Sequence, residues 1–266
     1  MEDDIYGWHR RLRLANEKSA LLSVLIGSWT TQSGLMPVGS QSKGRRVITF
    51  KATFSHEPDY LSAGLLFGEL VHTLRSVLDN VAYALAVKIG SASDVDRDIA
   101  YPICDSEAEY NAWVARRLPN VGAEYLSIIK QSQPFVRSPS NPSQDPLSLL
   151  HRSDIWDKHK VPSICGLVSD SFSYSVRTED FQRLNNNREE IKVVFPPQEP
   201  VTPGSVIAKM KFKRPFKPGP KIEVNAQMRF KIHLVGEYYG IKELSESMSQ
   251  RVFEVVNSVT EQLQRR

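Results

Sequence analysis

The chain has 266 residues, 41% of them hydrophobic and 24% charged, which excludes a disordered polymer and is ample for a buried core. The formal net charge is +4, but Lys209, Lys211, Lys213, Arg214, Lys217 and Lys221 fall within thirteen residues that contain no acid. Removing those six charges leaves −2, so the basicity is a local patch, which argues against a protein that is basic all over.

The N-terminal residues Met1-Glu2-Asp3-Asp4 are acidic where a secretory leader needs positive charge ahead of an apolar run. No apolar stretch reaches membrane-spanning length, so a cytoplasmic protein without membrane contact is expected. Trp8, Leu12, Ala15, Leu22, Ile26 and Trp29 recur at steps of three, four and seven, which predicts a helix over about residues 4–29. A Gly/Ser loop from Gly34 to Gly44 leads to a β-branched and aromatic strand over 45–54, closed by Pro58. Residues 60–89 hold no proline and carry Leu66, Leu70, Leu74, Leu78, Val81 and Leu85 at helical spacing, which predicts the longest helix.

Asp94-Val95-Asp96-Arg97-Asp98 opens like a calcium loop. Ile99 stands where such a loop needs glycine, and Asp105 where it needs a bidentate glutamate, so the segment reads as a solvated acidic turn. Ser106-Glu107-Ala108-Glu109 has the form of a capping box and starts a helix that runs to about Arg117, ahead of Pro119. Another helix is expected over 122–131 and an irregular connection from Pro134 to Pro146. A short helix over 147–159 then ends in Asp157-Lys158-His159-Lys160.

Strands are expected over 161–168, 172–177, 190–195, 205–213 and 222–235, and a last helix over 241–264 with Leu244, Met248, Val252, Val255, Val259 and Leu263 on one face. Short connections favour antiparallel pairing. The expectation is a single α+β domain: a helical layer on an antiparallel sheet of about five strands, helix-rich over 1–160 and strand-rich over 161–235.

Chemistry-bearing residues concentrate on the central helix. At about 100° per residue, Gly68, His72, Arg75, Asp79, Ala82 and Ala86 share the face opposite Leu70, Leu74, Leu78, Val81 and Leu85. The small residues admit a close neighbour, so the His-Arg-Asp group should be sheltered and need polar partners. Asp157-Lys158-His159-Lys160 is the natural one, with His159 against His72, Arg75 and Asp79. Alternatively, Arg75 and Asp79 simply pair at i, i+4 within a structural network.

Lys209, Lys211 and Lys213 alternate with apolar residues and give one strand a basic face. That face suits a phosphate backbone, or an edge strand protected by lysines. The prolines that follow and the lack of aromatics on the lysine face favour the edge strand. No P-loop, GxGxxG, GxSxG or HExxH string occurs. Cys104 and Cys165 stand 61 residues apart without a CxxC pair, so no disulfide framework, metal site or cofactor is expected.

The string Gly68-Glu69-Leu70-Val71-His72-Thr73-Leu74-Arg75-Ser76-Val77-Leu78-Asp79 resembles the GD-x-LHNLRSALDH helix of a widespread family of uncharacterised bacterial proteins. Tyr101-Pro102-Ile103 is similar to that family's F-P-I, Gln133-Pro134-Phe135 to its Q-P-[YF], and Asp157-Lys158-His159-Lys160 to its DKHR. The family's string also resembles the R-x4-H signature of HEPN ribonucleases, which are helical, usually dimeric, metal-independent, and frequent in toxin and antiphage systems.

The resemblance implies RNA as partner and a homodimer or protein partner as assembly. It further implies catalytic roles for His72, Arg75, Asp79 and His159, with binding roles for Asn80, Asp157, Lys158 and Lys160; a binding role for Lys209, Lys211 and Lys213 rests instead on the basic face of their strand. In that chemistry Arg75 stabilises the charge of a phosphorane-like transition state, His72 or His159 carries the proton, and the 2′-hydroxyl attacks. The chain departs from the pattern at Asn80, where the signature has histidine, and at Thr73, where the family has asparagine.

Overall fold

The computed structural model describes residues 7–32, 36–89, 99–159, 165–176, 186, 188–192, 200–215, 222–234 and 236–265. The chain forms two compact units, each discontinuous in sequence, where one domain of consecutive blocks was expected. One comprises Met1–Val24, Leu61–Ile164 and His233–Arg266, the other Leu25–Tyr60 and Cys165–Ile232. Strand pairing makes the division: β2 (Val47–Thr53) lies antiparallel to β5 (Val206–Phe212), so the N-terminal strand joins partners more than 150 residues away.

The protein is α+β, and every pairing with a defined register is antiparallel. Among the described residues the strands form two sheets where one was expected. One has four strands in the order β1-β2-β5-β4, with β1 at Met36–Gln41 and β4 at Arg188–Lys192. The other has three in the order β3-β6-β7, from Cys165–Val176, Ile222–Leu234 and Glu237–Gly240.

Two short strands hid in sequence, β1 inside the Gly/Ser stretch read as a loop and β7 in four residues before the last helix. Two strands expected over 161–177 are one, carried past an irregularity between Ser169 and Ser171 by its pairing with β6. In the strand unit, Ala52, Val201 and Ile207 form a buried cluster against Phe54 and Met228. The Trp29 ring stands edge-on to Phe54 and Phe230, each with centroids 5.7 Å away.

In the helical unit, α2 (Tyr60–Tyr83) buries Phe67, Leu70, Leu74 and Leu78 wholly and keeps one exposed stripe of Leu61, Leu65, Glu69, His72 and Tyr83. Its last six expected residues, Ala84–Ile89, widen into a π-helical turn. α1 (Trp8–Gln32) buries Trp8, Leu12, Ala15, Leu22 and Trp29, most of the stripe that predicted it.

α3 (Glu107–Arg117) starts as the capping box indicates, with Glu109 N–H donating to Ser106 Oγ at 3.3 Å. The reciprocal bond is displaced by one residue, because Glu109 Oε2 accepts from Asp105 N–H. α4 (Ala123–Gln131), the single turn α5 (Pro134–Arg137) and α6 (Pro146–His159) follow. α7 (Ile241–Gln264) packs on α4 and α6.

Candidate functional site

α6 lies against α2 with its residues running the opposite way. Asp157 covers Gly68 so closely that a Cβ there would fall 2.6 Å from its Oδ1. One turn along, His72 Nδ1 is 3.3 Å from Asp154 Oδ1, with Asp154 buried and the His72 side chain 59% exposed. Next, His151 sits in the field of Arg75. Positions 157, 154 and 151 of α6 thus meet 68, 72 and 75 of α2, matching three-residue steps on one helix to steps of three and four on the other. The expectation that the DKHK segment meets this helix face holds through Asp157. The side chains of Lys158 and His159, and all of Lys160, lie outside the described residues, so the expected approach of His159 does too.

Arg75 is 5% exposed. Its Nη2 lies 2.9 Å from Asp79 Oδ1 and donates to the Tyr101 carbonyl at 2.8 Å. Asp79 Oδ1 also accepts from Tyr101 N–H at 3.0 Å, so both backbone polar groups of Tyr101 are held by one ion pair on α2. The same segment is held from its other side by Gln133, which is wholly buried. The Gln133 Oε1 accepts from Cys104 N–H, and its Nε2 donates to the Pro102 and Ile129 carbonyls, each at 3.0 Å. The Tyr101 hydroxyl meets Ser132 Oγ at 2.6 Å, and its burial pushes its pKa up. Three of the four sequence motifs therefore meet in one hydrogen-bonded core.

Beside this core is a cavity of about 590 Å³ between α3, α6 and the irregular segment 103–105. α3 presents Glu109, Trp113 and Arg116 to it, and α6 presents His151 and Arg152. His151 Nδ1 is buried and has no hydrogen-bond partner, as is Arg75 Nη1. Burial, then the Arg75 guanidinium, lower the His151 pKa against the opposing pull of Asp154, Asp79 and Asp105. Its ring is therefore neutral at physiological pH. Cys104 also lines the cavity, but burial and then the nearby Glu109 and Asp105 carboxylates push its thiol up to about 11. At neutral pH it is a protonated, unreactive group.

Asp105 is committed to α6, accepting from Arg152 Nη2 at 2.7 Å and from Ser148 Oγ. Among the described residues, no three His, Cys, Asp or Glu side chains converge as a metal site would require.

The other sequence candidates separate from this site. Asn80 is half-buried, but five residues on from Arg75 is about 140° round the helix. Lys209 and Lys211 are exposed on one face of β5, with Lys213 just past its end. They belong to the strand unit, and β5 is flanked by β2 and β4, which corrects the edge-strand expectation. Ile207, Ala208, Met210 and Phe212 are buried, and the strand is interior because β2 and β4 pair with its two edges. Asp94–Asp98 lies outside the described residues.

His151 and Asp154 were not singled out from sequence, although with Asp157 they recur every three residues, a stripe legible once α6 is placed. No described helix is long and apolar enough to cross a membrane. Comparison with protein-family models, with curated proteins and with solved structures returns no match.

Proposed function

We propose that the protein is a non-catalytic binding module, in which the His72/Arg75/Asp79 constellation is a structural network. The observation that carries this reading is the placement of Arg75. Its Nη2 is engaged by Asp79 and the Tyr101 carbonyl inside the helical core, whereas a catalytic guanidinium must reach a phosphoryl group in an open cleft. Asn80 adds support, since an amide has no titratable proton, and His72 is turned to Asp154.

The test is incubation of the full chain with mixed RNA and a chelator, comparing wild type, Asn80→His and Arg75→Ala. No cleavage by wild type is expected. Robust cleavage that a folded Arg75→Ala variant loses would overturn the proposal. Cleavage gained only in Asn80→His would point to descent from a ribonuclease whose proton carrier is lost here.

One observation favours a second reading, a HEPN-like RNA phosphodiesterase acting without metal. His151 provides a neutral imidazole beside Arg75, at the wall of a cavity, with its Nδ1 unpartnered. It would take the proton of a 2′-hydroxyl whose oxygen attacks phosphorus as the bond to the 5′-oxygen breaks, leaving a 2′,3′-cyclic phosphate and a 5′-hydroxyl protonated by water. In the same assay, cleavage abolished by His151→Gln is the result that would select this reading.

A further inference from the structure

The charges around the cavity are not all committed. Asp105 and Arg152 neutralise each other, and Ser148 takes the other Asp105 oxygen. Arg117 stacks its guanidinium over the Trp113 ring at 4.5 Å, while Trp113 Nε1 donates to the Ala100 carbonyl at 3.2 Å, so that indole is fixed at both ends. Two charged groups remain. Arg116 has no ion-pair partner among the described residues, and Glu109 uses one oxygen on Asp105 N–H and leaves the other open.

Glu109, Trp113 and Arg116 stand at i, i+4 and i+7 on α3, one stripe along the cavity wall. Seven residues of helix span about 10.5 Å at 1.5 Å per residue. The wall therefore offers an acceptor at one end, a rigid aromatic edge in the middle and a cation at the other end. Ala112 leaves space beside the indole, and neutral His151 lines the opposite side on α6.

Resting on the binding-module reading, we propose that this cavity is a mononucleotide site. A nucleoside monophosphate has the matching order of groups over a matching length. Its phosphate pairs with Arg116, its base packs on Trp113, and a base amino group donates to Glu109. A volume of about 590 Å³ lies within the range of small-molecule sites, roughly 300–1,000 Å³. An exposed arginine offers bidentate contact to phosphate, and aromatic stacking tolerates any base. Selectivity then comes from Glu109, which accepts from the exocyclic amino groups of adenine, cytosine and guanine, whereas uracil places carbonyl oxygens on either side of its N3–H and repels a carboxylate there.

The experiment is calorimetric titration of the full chain with AMP, CMP, GMP, UMP, adenosine and inorganic phosphate. AMP is expected to bind at least about tenfold more tightly than UMP, adenosine or phosphate, equivalent to about 1.4 kcal/mol. Arg116→Glu and Trp113→Ala should each weaken AMP binding about tenfold or more. Arg137→Glu, on another face, should leave it unchanged, and Glu109→Gln should narrow the gap between AMP and UMP.

Thermal melts of each variant establish that the fold persists, and Trp113→Leu serves where Trp113→Ala does not fold. Absence of binding by all four nucleotides at about 1 mM, or binding indifferent to Arg116 and Trp113, overturns the site. Phosphate binding as tightly as AMP overturns it as well. Cleavage of RNA by the same preparation would instead overturn the module reading, so the two failures are distinguishable.

Discussion

Arg75 is a buried cation whose neighbours decide its role. A guanidinium has five donors and cannot be deprotonated inside a protein, so burying it demands acceptors in fixed places. Asp79 and the Tyr101 carbonyl provide them for Nη2, and burial, then this cation, lowers the pKa of His151. That coupling has a definite sign. The folded pKa of His151 lies below the ordinary histidine value near 6.5, so as pH falls below that value the unfolded chain takes up a proton that the folded chain refuses. This contribution to stability is fully present above about pH 6.5 and is lost as pH falls toward the depressed folded value. Melting temperatures at about pH 7 and about pH 5 should therefore fall further apart in wild type than in His151→Gln. Equal shifts in the two proteins would remove His151 from the coupling.

At the scale of elements, side-chain amides and carboxylates fasten the helices together. Gln133 makes three hydrogen bonds that tie α4 to the segment before α3. Replacing it with leucine keeps the volume but strands buried backbone groups, at about 1 kcal/mol each or roughly 2–4 kcal/mol in all. Hydrogen exchange at the Cys104 amide should quicken in Gln133→Leu, and unchanged protection there would refute the assignment.

The contact of α6 on α2 at Gly68 is testable by a double-mutant cycle. Alanine in a helix interior gains about 1 kcal/mol over glycine, but here its Cβ meets the Asp157 carboxylate. Gly68→Ala should destabilise wild type and stabilise Asp157→Ala; the same effect in both backgrounds would mean that the carboxylate does not limit the approach. A comparable fastener is Asp145, which accepts from Leu147 N–H at the start of α6, from Ser138 Oγ, and from Arg251 Nη2 of α7 at 3.3 Å.

Across the whole molecule, what sequence made legible was local. The stripe of α7 and the capping box of α3 were readable because helix periodicity and end chemistry act within a few residues. Asp145 before Pro146 carried a cap signal of the same kind that went unread. The division into two units was not legible, because it rests on β2 pairing with β5 across the chain, and a short strand such as β1 has no periodicity of its own.

The candidate site divides in the same way. The polar face of α2 could be read from one helix, whereas the roles of Tyr101, Gln133 and His151 depend on which segments meet. We infer that Arg75 and Asp79 hold the helical unit together, and the decisive measurement is a thermal melt of the full chain with a double-mutant cycle on that pair. Arg75→Ala should cost about 3 kcal/mol, the lower end for breaking a buried pair because Asp79 is partly solvated. That lowers the melting temperature by roughly 6–12 °C, and Asp79→Ala in the same background should add little. An unchanged melting temperature for Arg75→Ala, or full additivity of the two substitutions, would mean that the pair does not hold the unit together.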